Sequence, residues 1–391
     1  MAPFARVGLK LDSRNRSNCR LFLPRVLYGP LSSDMKARAA LLIILIAPAL
    51  SVDKEADLDG LAKLEPLFDY WIRDTYITYV EGDDTYYMTG TTSDPSRDFP
   101  GNNHARDFND GIYVWKSKDL EHWASLGRVW GFEEHGTWHN EFVLSAASQR
   151  SVTGFEGMQE RRRSVWAPEI HYVNGNYYLV GCMNWHPSDE FEENGRVFLL
   201  ESVSGRPEGP YRDPVGKPLA NRIDPSLFED DDGTVYFIWQ EGRIAKMKSD
   251  MSGFAEEPRG LEEETYPDNP DAQGVFIAKR DNLYYLVQAI WWMENGKGEQ
   301  GYLKEGNRLY YDCVVSTSKN IYGPYGKKYM AIRGGGHTNL FQDREGSWWA
   351  TYFGNPSGKM RPSFTARPAI IPLKFEENGR FMANWDIVVN K

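Results

Sequence analysis

Cysteine is scarce in this sequence. Three of the 391 residues are cysteines, and Cys19 lies in an N-terminal region unlike the rest, which leaves Cys182 and Cys313. Two isolated cysteines do not form a disulfide framework, and each lies within an apolar, strand-like run, so we expect two separate buried thiols. No Cys/His spacing matches a zinc site. The composition therefore argues against a disulfide scaffold and a zinc protein.

Long hydrophobic runs are almost missing. The single long run, residues 39–50, follows a short basic stretch at 35–38 and ends in small residues before Ser51. This is the pattern of a secretory signal peptide, and the run is too short to span a membrane. We therefore expect a non-native or mis-assigned extension at 1–34, a signal peptide at 35–51, a lead-in at 52–70 and the folded domain at 71–391. The mature protein should be secreted or periplasmic and should not bind membranes.

Basic residues are outnumbered. The whole sequence has 45 Lys/Arg against 55 Asp/Glu, and without residues 1–51 the counts become 37 and 53, a net charge of −16. A field of that sign repels phosphate backbones, so nucleic acid is not an expected partner. A neutral polymer such as a polysaccharide remains compatible, and we expect a monomer.

Long amphipathic helices are missing after residue 51, and a five-fold repeat takes their place. Each copy has a polar residue, a short apolar strand, a Gly/Asp/Asn turn and a second strand that opens with aromatic residues. Aromatic residues make up 14% of the sequence, which suits such strands. The copies are RDTYITYVEGDDTYYMTG from Arg73, WAPEIHYVNGNYYLVG from Trp166, IDPSLFEDDDGTVYFIW from Ile223, AQGVFIAKRDNLYYLVQ from Ala272 and GHTNLFQDREGSWWATYF from Gly336. This pattern predicts an all-β, five-bladed β-propeller.

The spacing of the copies is uneven in one place. The interval between the first and second copies exceeds the length of an ordinary blade, and the excess falls in residues 93–110 and 131–164. Long irregular inserts in a compact domain are usually functional. These stretches hold His104, His135 and His139, together with the basic run at 161–163, and we interpret them as loops that shape one wall of a pocket.

Polar residues open the five copies. The innermost strand of each propeller blade lines a central channel, so these residues should converge at one end of it. Two carboxylates around one cavity suit glycoside hydrolysis, in which one activates water and the other protonates the leaving oxygen. The predicted channel residues are Asp74, Glu169, Asp224, Gln273 and His337.

From residue 71 to 381 the sequence resembles glycoside hydrolase family 43, whose members are five-bladed propellers. Residues 73–77 and 86–91 resemble the motif that carries the general base, which implies that role for Asp74. Residues 166–169, WAPE, match the signature of the second blade, and residues 223–228, IDPSLF, resemble the motif whose aspartate orients and tunes the acid, here Asp224. Gly336-His337 resembles the fifth-blade histidine, which implies a central water or ion. We expect no required cofactor and allow for a structural calcium near His337.

Two positions depart from the family pattern. Thr75 stands where proline usually follows the base, which is a mild change. Gln273 stands where the family has its general-acid glutamate, and an amide cannot donate a proton as a carboxylic acid does. Three explanations stay open: an acid from elsewhere, such as Glu294, Glu141 or an insert histidine; slow cleavage of easy leaving groups; or sugar binding without cleavage.

Other residues are candidates for substrate contact. Trp166 and Trp291 are tryptophans that either fill the space between blades or form a flat platform for a sugar ring. Glu169 and His337 are expected at the channel, where Glu169 fits a structural hydrogen-bonding role better than a catalytic one. The leading hypothesis is an inverting glycosidase that acts on a plant- or algal-type oligosaccharide or polysaccharide, and the alternative is a non-catalytic carbohydrate-binding propeller.

Overall fold

The computed structural model describes residues 60–92, 109–142, 164–183, 195–264, 272–293, 309–354 and 366–388. Its strands form five antiparallel sheets, and each sheet is built from strands that are consecutive in the chain. The innermost strands of the first four blades contact one another in order, and that of the fifth contacts the first. Gly274 at the start of the fourth blade lies against His337 at the start of the fifth. The predicted five-bladed β-propeller is confirmed.

Each blade is a meander that runs outward from the channel. The first has β1 (Arg73–Val80), β2 (Thr85–Thr91), β3 (Gly111–Ser117) and β4 (Trp123–Gly131). The second has β5 (Val165–Val173), β6 (Asn176–Met183), β7 (Arg196–Ser202), β8 (Tyr211–Arg212) and β9 (Ala220–Asn221), which pairs with β7. The third has β10 (Ser226–Glu229), β11 (Val235–Trp239), β12 (Arg243–Lys246) and β13 (Arg259–Gly260). The fourth has β14 (Gln273–Arg280), β15 (Leu283–Met293), β16 (Leu309–Ser318) and β17 (Tyr329–Ile332), and the fifth has β18 (Leu340–Gln342), β19 (Trp348–Phe353), β20 (Pro368–Phe375) and β21 (Phe381–Ala383).

The helices are short. Glu81–Asp83 and Trp138–Glu141 are 3₁₀ turns, and Phe132–His135 and Trp385–Val388 are single α-helical turns. None of the helices in the described part of the chain is long and apolar enough to cross a membrane.

The start of each blade has a shared backbone geometry. One residue has a left-handed φ, between 44° and 58°, and an apolar residue three positions later is buried. The left-handed residues are Asp74, Ala167, Asp224, Gly274 and His337, and the buried residues that follow are Ile77, Ile170, Leu227, Ile277 and Leu340. In the first, second and fourth blades, two residues at this point face a single residue of the neighbouring strand. Such a β-bulge bends the strand and re-aims a side chain.

This geometry corrects the predicted alignment of the channel residues. Asp74, Asp224 and His337 occupy equivalent positions, as expected, but Ala167 and Gly274 hold that position in the second and fourth blades. Glu169 lies two residues further into its strand, and Gln273 lies one residue earlier. The pattern of polar residues alone does not give the equivalent positions of Glu169 and Gln273, because the bulge adds one residue at the start of the strand.

The core lies between the faces of neighbouring blades. Val180 and Leu199 of the second blade pack with Phe237 of the third, and Ile238 of the third blade packs with Leu286 of the fourth. These β-branched, leucine and aromatic side chains alternate along strands whose other face contacts the next blade, so both faces of a blade are apolar. Both remaining cysteines, Cys182 and Cys313, are free and buried, as predicted.

Asn339 closes the ring between the last and first blades. Its carboxamide oxygen accepts a hydrogen bond from the Ile77 amide at 3.1 Å, and its nitrogen donates to the Ile77 carbonyl at 2.8 Å. Inner strands of adjacent blades do not pair through their backbones, so one buried side chain supplies both bonds here. Further out, the Leu67 and Ile72 amides donate to carbonyls of Pro368 and Ala366, which attaches the lead-in to the fifth blade.

Candidate active site

Asp74 lies at one end of the channel, in the bulge that opens the first blade. Its φ of 51° is one that aspartate tolerates better than most residues. Thr91 at the end of β2 donates its hydroxyl hydrogen to Asp74 Oδ2 at 2.8 Å. The side chain retains 14% of its exposure, so it reaches the opening of the channel.

His337 lies between two aspartates from different blades. Its Nδ1 is 3.4 Å from Asp74 Oδ1 and 3.9 Å from Asp224 Oδ2. Burial raises the pKa of Asp224, and the charge of Asp74 adds to this, whereas His337 opposes it. The three side chains therefore form one electrostatic unit, although Asp74 and His337 lie more than two hundred residues apart in the sequence.

The backbone of the fourth blade completes this cluster. The Gly274 amide donates to Asp224 Oδ2 at 2.9 Å, and a β-carbon at Gly274 would lie 2.8 Å from the His337 α-carbon. Glycine is required here because of both the close approach and the left-handed φ. Gln273, the residue before it, is half-buried and begins β14. That its side chain faces the channel beside Asp224 stays a prediction.

Deeper in the channel lies a buried polar layer. Glu169 Oε2 is 2.8 Å from His171 Nε2, and the Tyr76 hydroxyl is 3.0 Å from His171 Nδ1. Burial raises the pKa of Glu169 to about 8 and lowers that of His171 to about 3. Glu169 is 5% exposed, so in this structure it supports the channel and does not line the opening.

Aromatic side chains fill the channel at this depth. The ring of Tyr76 from the first blade lies 6.3 Å from the ring of Phe276 in the fourth, although these blades are not neighbours. It also contacts His171 at 4.7 Å. All three side chains are buried and occupy the channel below the Asp74 cluster.

Two tryptophans, Trp166 and Trp291, were predicted to contact a sugar. Trp166 is half-buried and packs against the core cluster that joins the second and third blades. The backbone of Trp291 pairs with Tyr311 in β15 and β16, but its side chain lies outside the described residues. Sugar binding by either tryptophan stays a prediction.

Two residues near the opening were missed by the sequence reasoning. Arg73 is half-buried, lies over the Phe353 ring at 5.0 Å and is the first-blade equivalent of Gln273. Thr91 is its strand partner and contacts Asp74 directly. Arg73 could have been found by aligning the first and fourth blades at their bulges, because Arg73 directly precedes Asp74 as Gln273 directly precedes Gly274. No local pattern marks Thr91.

The alternative proton donors are placed as follows. His139 is fully buried, stacks on Trp138 at 4.0 Å, and burial lowers its pKa to about 4, so its imidazole is neutral and is not a general acid near pH 7. His135 is exposed and accepts a hydrogen bond from the Gly131 amide at 3.2 Å. Glu141 is exposed at the end of its 3₁₀ turn. His104, Glu294 and the basic run at 161–163 lie outside the described residues.

A structural calcium near His337 stays a prediction. Two of the four carboxylate oxygens there already accept hydrogen bonds, Asp224 Oδ2 from the Gly274 amide and Asp74 Oδ2 from the Thr91 hydroxyl. Within the described ranges, no group of three or more acidic, histidine or cysteine side chains is arranged to hold a metal.

The profile described as "Glycosyl hydrolases family 43" matches residues 64–381, most of the chain. The chain therefore belongs to glycoside hydrolase family 43.

Curated proteins with similar sequences are glycosidases by name. The non-reducing end alpha-L-arabinofuranosidase of Bacteroides ovatus is 25% identical over 293 residues, which cover 70% of this chain and 44% of that protein. The xylan 1,3-beta-xylosidase of a Vibrio species is 25% identical over 304 residues, which cover 69% and 46%. The chain thus spans less than half the length of these relatives.

Solved structures share the fold. The family 43 BlXynB protein of Bacillus licheniformis has a TM-score of 0.56 at 23% identity, over 82% of this chain and 56% of that chain. An exo-1,5-alpha-L-arabinanase from a bovine ruminal metagenomic library has a TM-score of 0.54 at 18% identity, over 80% and 97%. Both likenesses concern the fold.

Proposed function

We propose that this chain hydrolyses O-glycosidic bonds in a plant- or algal-type oligosaccharide or polysaccharide, by an inverting mechanism and without a cofactor. The observation that supports this is the cluster of Asp74, His337 and Asp224 at the open end of the channel. Family membership supports the reaction class, and the equivalent backbone positions of the two aspartates support the assignment of roles.

Asp74 is the general base. Thr91 occupies its Oδ2, so Oδ1 is the oxygen that faces His337 and the opening. A water bound at Oδ1 loses its proton to the carboxylate while it attacks the anomeric carbon, and the leaving group departs from the opposite face of the sugar, which inverts the configuration. Asp224, buried at the start of the third blade, orients and tunes the proton donor.

The proton for the leaving group does not come from Gln273. A carboxamide has no acidic proton at neutral pH, so the donor lies elsewhere in the chain or the leaving group departs unaided. Turnover should therefore depend on the leaving group, and 4-nitrophenyl glycosides, whose phenolate needs little protonation, are the most sensitive probes. The names of the relatives place β-xylosides and α-L-arabinofuranosides first among the sugars to test.

The test compares the wild type with Asp74→Asn on 4-nitrophenyl β-D-xyloside and α-L-arabinofuranoside. We expect turnover to fall by at least 1,000-fold, roughly the scale of losing a general base and its positioned water. Asp281→Asn, an exposed turn carboxylate with a similar left-handed φ, is the matched control and should keep full activity. Proton NMR of the first product anomer tests inversion. Full turnover by Asp74→Asn would show that Asp74 is not the base.

Gln273 also favours a second candidate, a carbohydrate-binding propeller without catalysis. Calorimetric titration of xylan- and arabinan-derived oligosaccharides, alongside reducing-end release at high protein concentration, separates the two functions. Binding without release supports the second candidate. Export of the protein, expected from residues 35–51, is tested separately by N-terminal sequencing of the mature chain.

A further inference from the structure

Thr91 forms the only side-chain hydrogen bond to Asp74 found among the described residues. It is 1% exposed, and its Oγ1 lies 2.8 Å from Asp74 Oδ2. The same Oγ1 lies 2.8 Å from the backbone nitrogen of Ala167, the left-handed residue of the second blade. One hydroxyl therefore connects the proposed base to the bulge of the neighbouring blade.

The two bonds have different directions. The Ala167 amide can only donate, so Thr91 Oγ1 accepts from it. The hydroxyl hydrogen of Thr91 is donated to Asp74 Oδ2. Held on one side by the second blade, the hydroxyl fixes the plane of the Asp74 carboxylate.

We propose that Thr91 is a positioning residue for Asp74, which binds one carboxylate oxygen and turns the other toward the opening of the channel. This inference rests on the proposed function, in which Asp74 is the general base. A base must present one oxygen to a water at hydrogen-bond distance, and a freely rotating carboxylate would do so only part of the time.

The competing interpretation is that Thr91 only joins two blades. Thr89 provides the matched control, because it is also a fully buried threonine of β2 and its hydroxyl donates to the second blade, at the Pro168 carbonyl, 2.7 Å away. Thr89 makes a bond between blades without touching Asp74. A purely structural role predicts the same consequences for both residues.

The experiment measures kcat and KM separately for Thr91→Val, Thr91→Ser and Thr89→Val on the 4-nitrophenyl glycosides. Valine keeps the branched shape and removes the donor, and we expect Thr91→Val to lower kcat by roughly 10- to 100-fold with little change in KM. Thr91→Ser, which keeps the hydroxyl, should restore kcat. Thr89→Val should keep kcat close to the wild-type value.

Two outcomes separate this inference from the proposed function. If Asp74→Asn remains active, the proposed function fails and Thr91 has no base to position. If Asp74→Asn is inactive but Thr91→Val has the same kcat and KM as Thr89→Val, the proposal for Thr91 is overturned alone.

Discussion

Glu169 offers a test of whether the buried layer beneath the active-site cluster is uncharged. Burial raises the pKa of Glu169 to about 8 and lowers that of His171 to about 3, so near neutral pH the carboxyl keeps its proton and the imidazole is neutral. The geometry agrees, because the Leu227 amide donates to His171 Nε2 at 3.4 Å and marks that nitrogen as an acceptor. Glu169 then donates its proton to the same nitrogen.

The size of the effect follows from the two states of the carboxyl. An unfolded glutamate has a pKa of about 4.3, and the folded value is about 8, so the folded state binds the proton more tightly. The resulting stability is fully present below pH 4 and is lost as the pH rises through 8. Between pH 5 and pH 9 the loss amounts to about 4 kcal/mol.

The perturbation is Glu169→Gln, which keeps the shape and the donor of the protonated acid and cannot ionise. We expect its free energy of unfolding, measured by urea titration with tryptophan fluorescence, to exceed that of the wild type by about 1 kcal/mol at pH 5 and by about 5 kcal/mol at pH 9. Glu121→Gln, an exposed residue, controls for general charge effects. If Glu169→Gln is less stable by a similar amount at both pH values, the pair is ionic and the reasoning is refuted.

Two further predictions concern the ring and the acid position. Asn339→Leu should lower the unfolding midpoint by roughly 5–15 °C in calorimetry, because the Ile77 amide and carbonyl lose their hydrogen-bond partners. The control Gln342→Ala, which removes an exposed amide, should change the midpoint little. An unaltered midpoint for Asn339→Leu would show that Asn339 does not stabilise the closure of the ring. Gln273→Glu should reduce turnover of the wild-type substrate, because it adds a negative charge next to the backbone that binds Asp224. A gain in turnover would instead identify position 273 as the missing proton donor.

The five-bladed fold could be predicted because every blade repeats the same two-strand pattern. The Asn174-Gly175 turn shows why this works: both residues have a left-handed φ, at 49° and 78°, and the two-residue hairpin between β5 and β6 needs that geometry. The hairpin pattern is local, so it can be read from adjacent residues. The outer strands are harder to predict, since β8, β9 and β13 have two residues each and depend on their neighbours.

The site was predicted in part. Asp74 and Asp224 occupy equivalent backbone positions, whereas Gln273 and Glu169 lie one and two residues away from that position in their own blades. The pattern of polar residues does not show where a β-bulge inserts its extra residue. The contact between Thr91 and Asp74 depends on strand register and on the second blade, and neither is visible in a local motif. Residue type was therefore enough to identify the candidate carboxylates. The pairing of the strands decides which side chains contact them.

The aromatic layer of Tyr76 and Phe276 has a consequence for how a ligand reaches Asp74. Both rings are buried and lie 6.3 Å apart, so in the described part of the channel they occupy the space below the Asp74 cluster. A sugar bound by the hydrolase proposed above would therefore approach Asp74 from the opposite side of the cluster. Its products would leave on that same side.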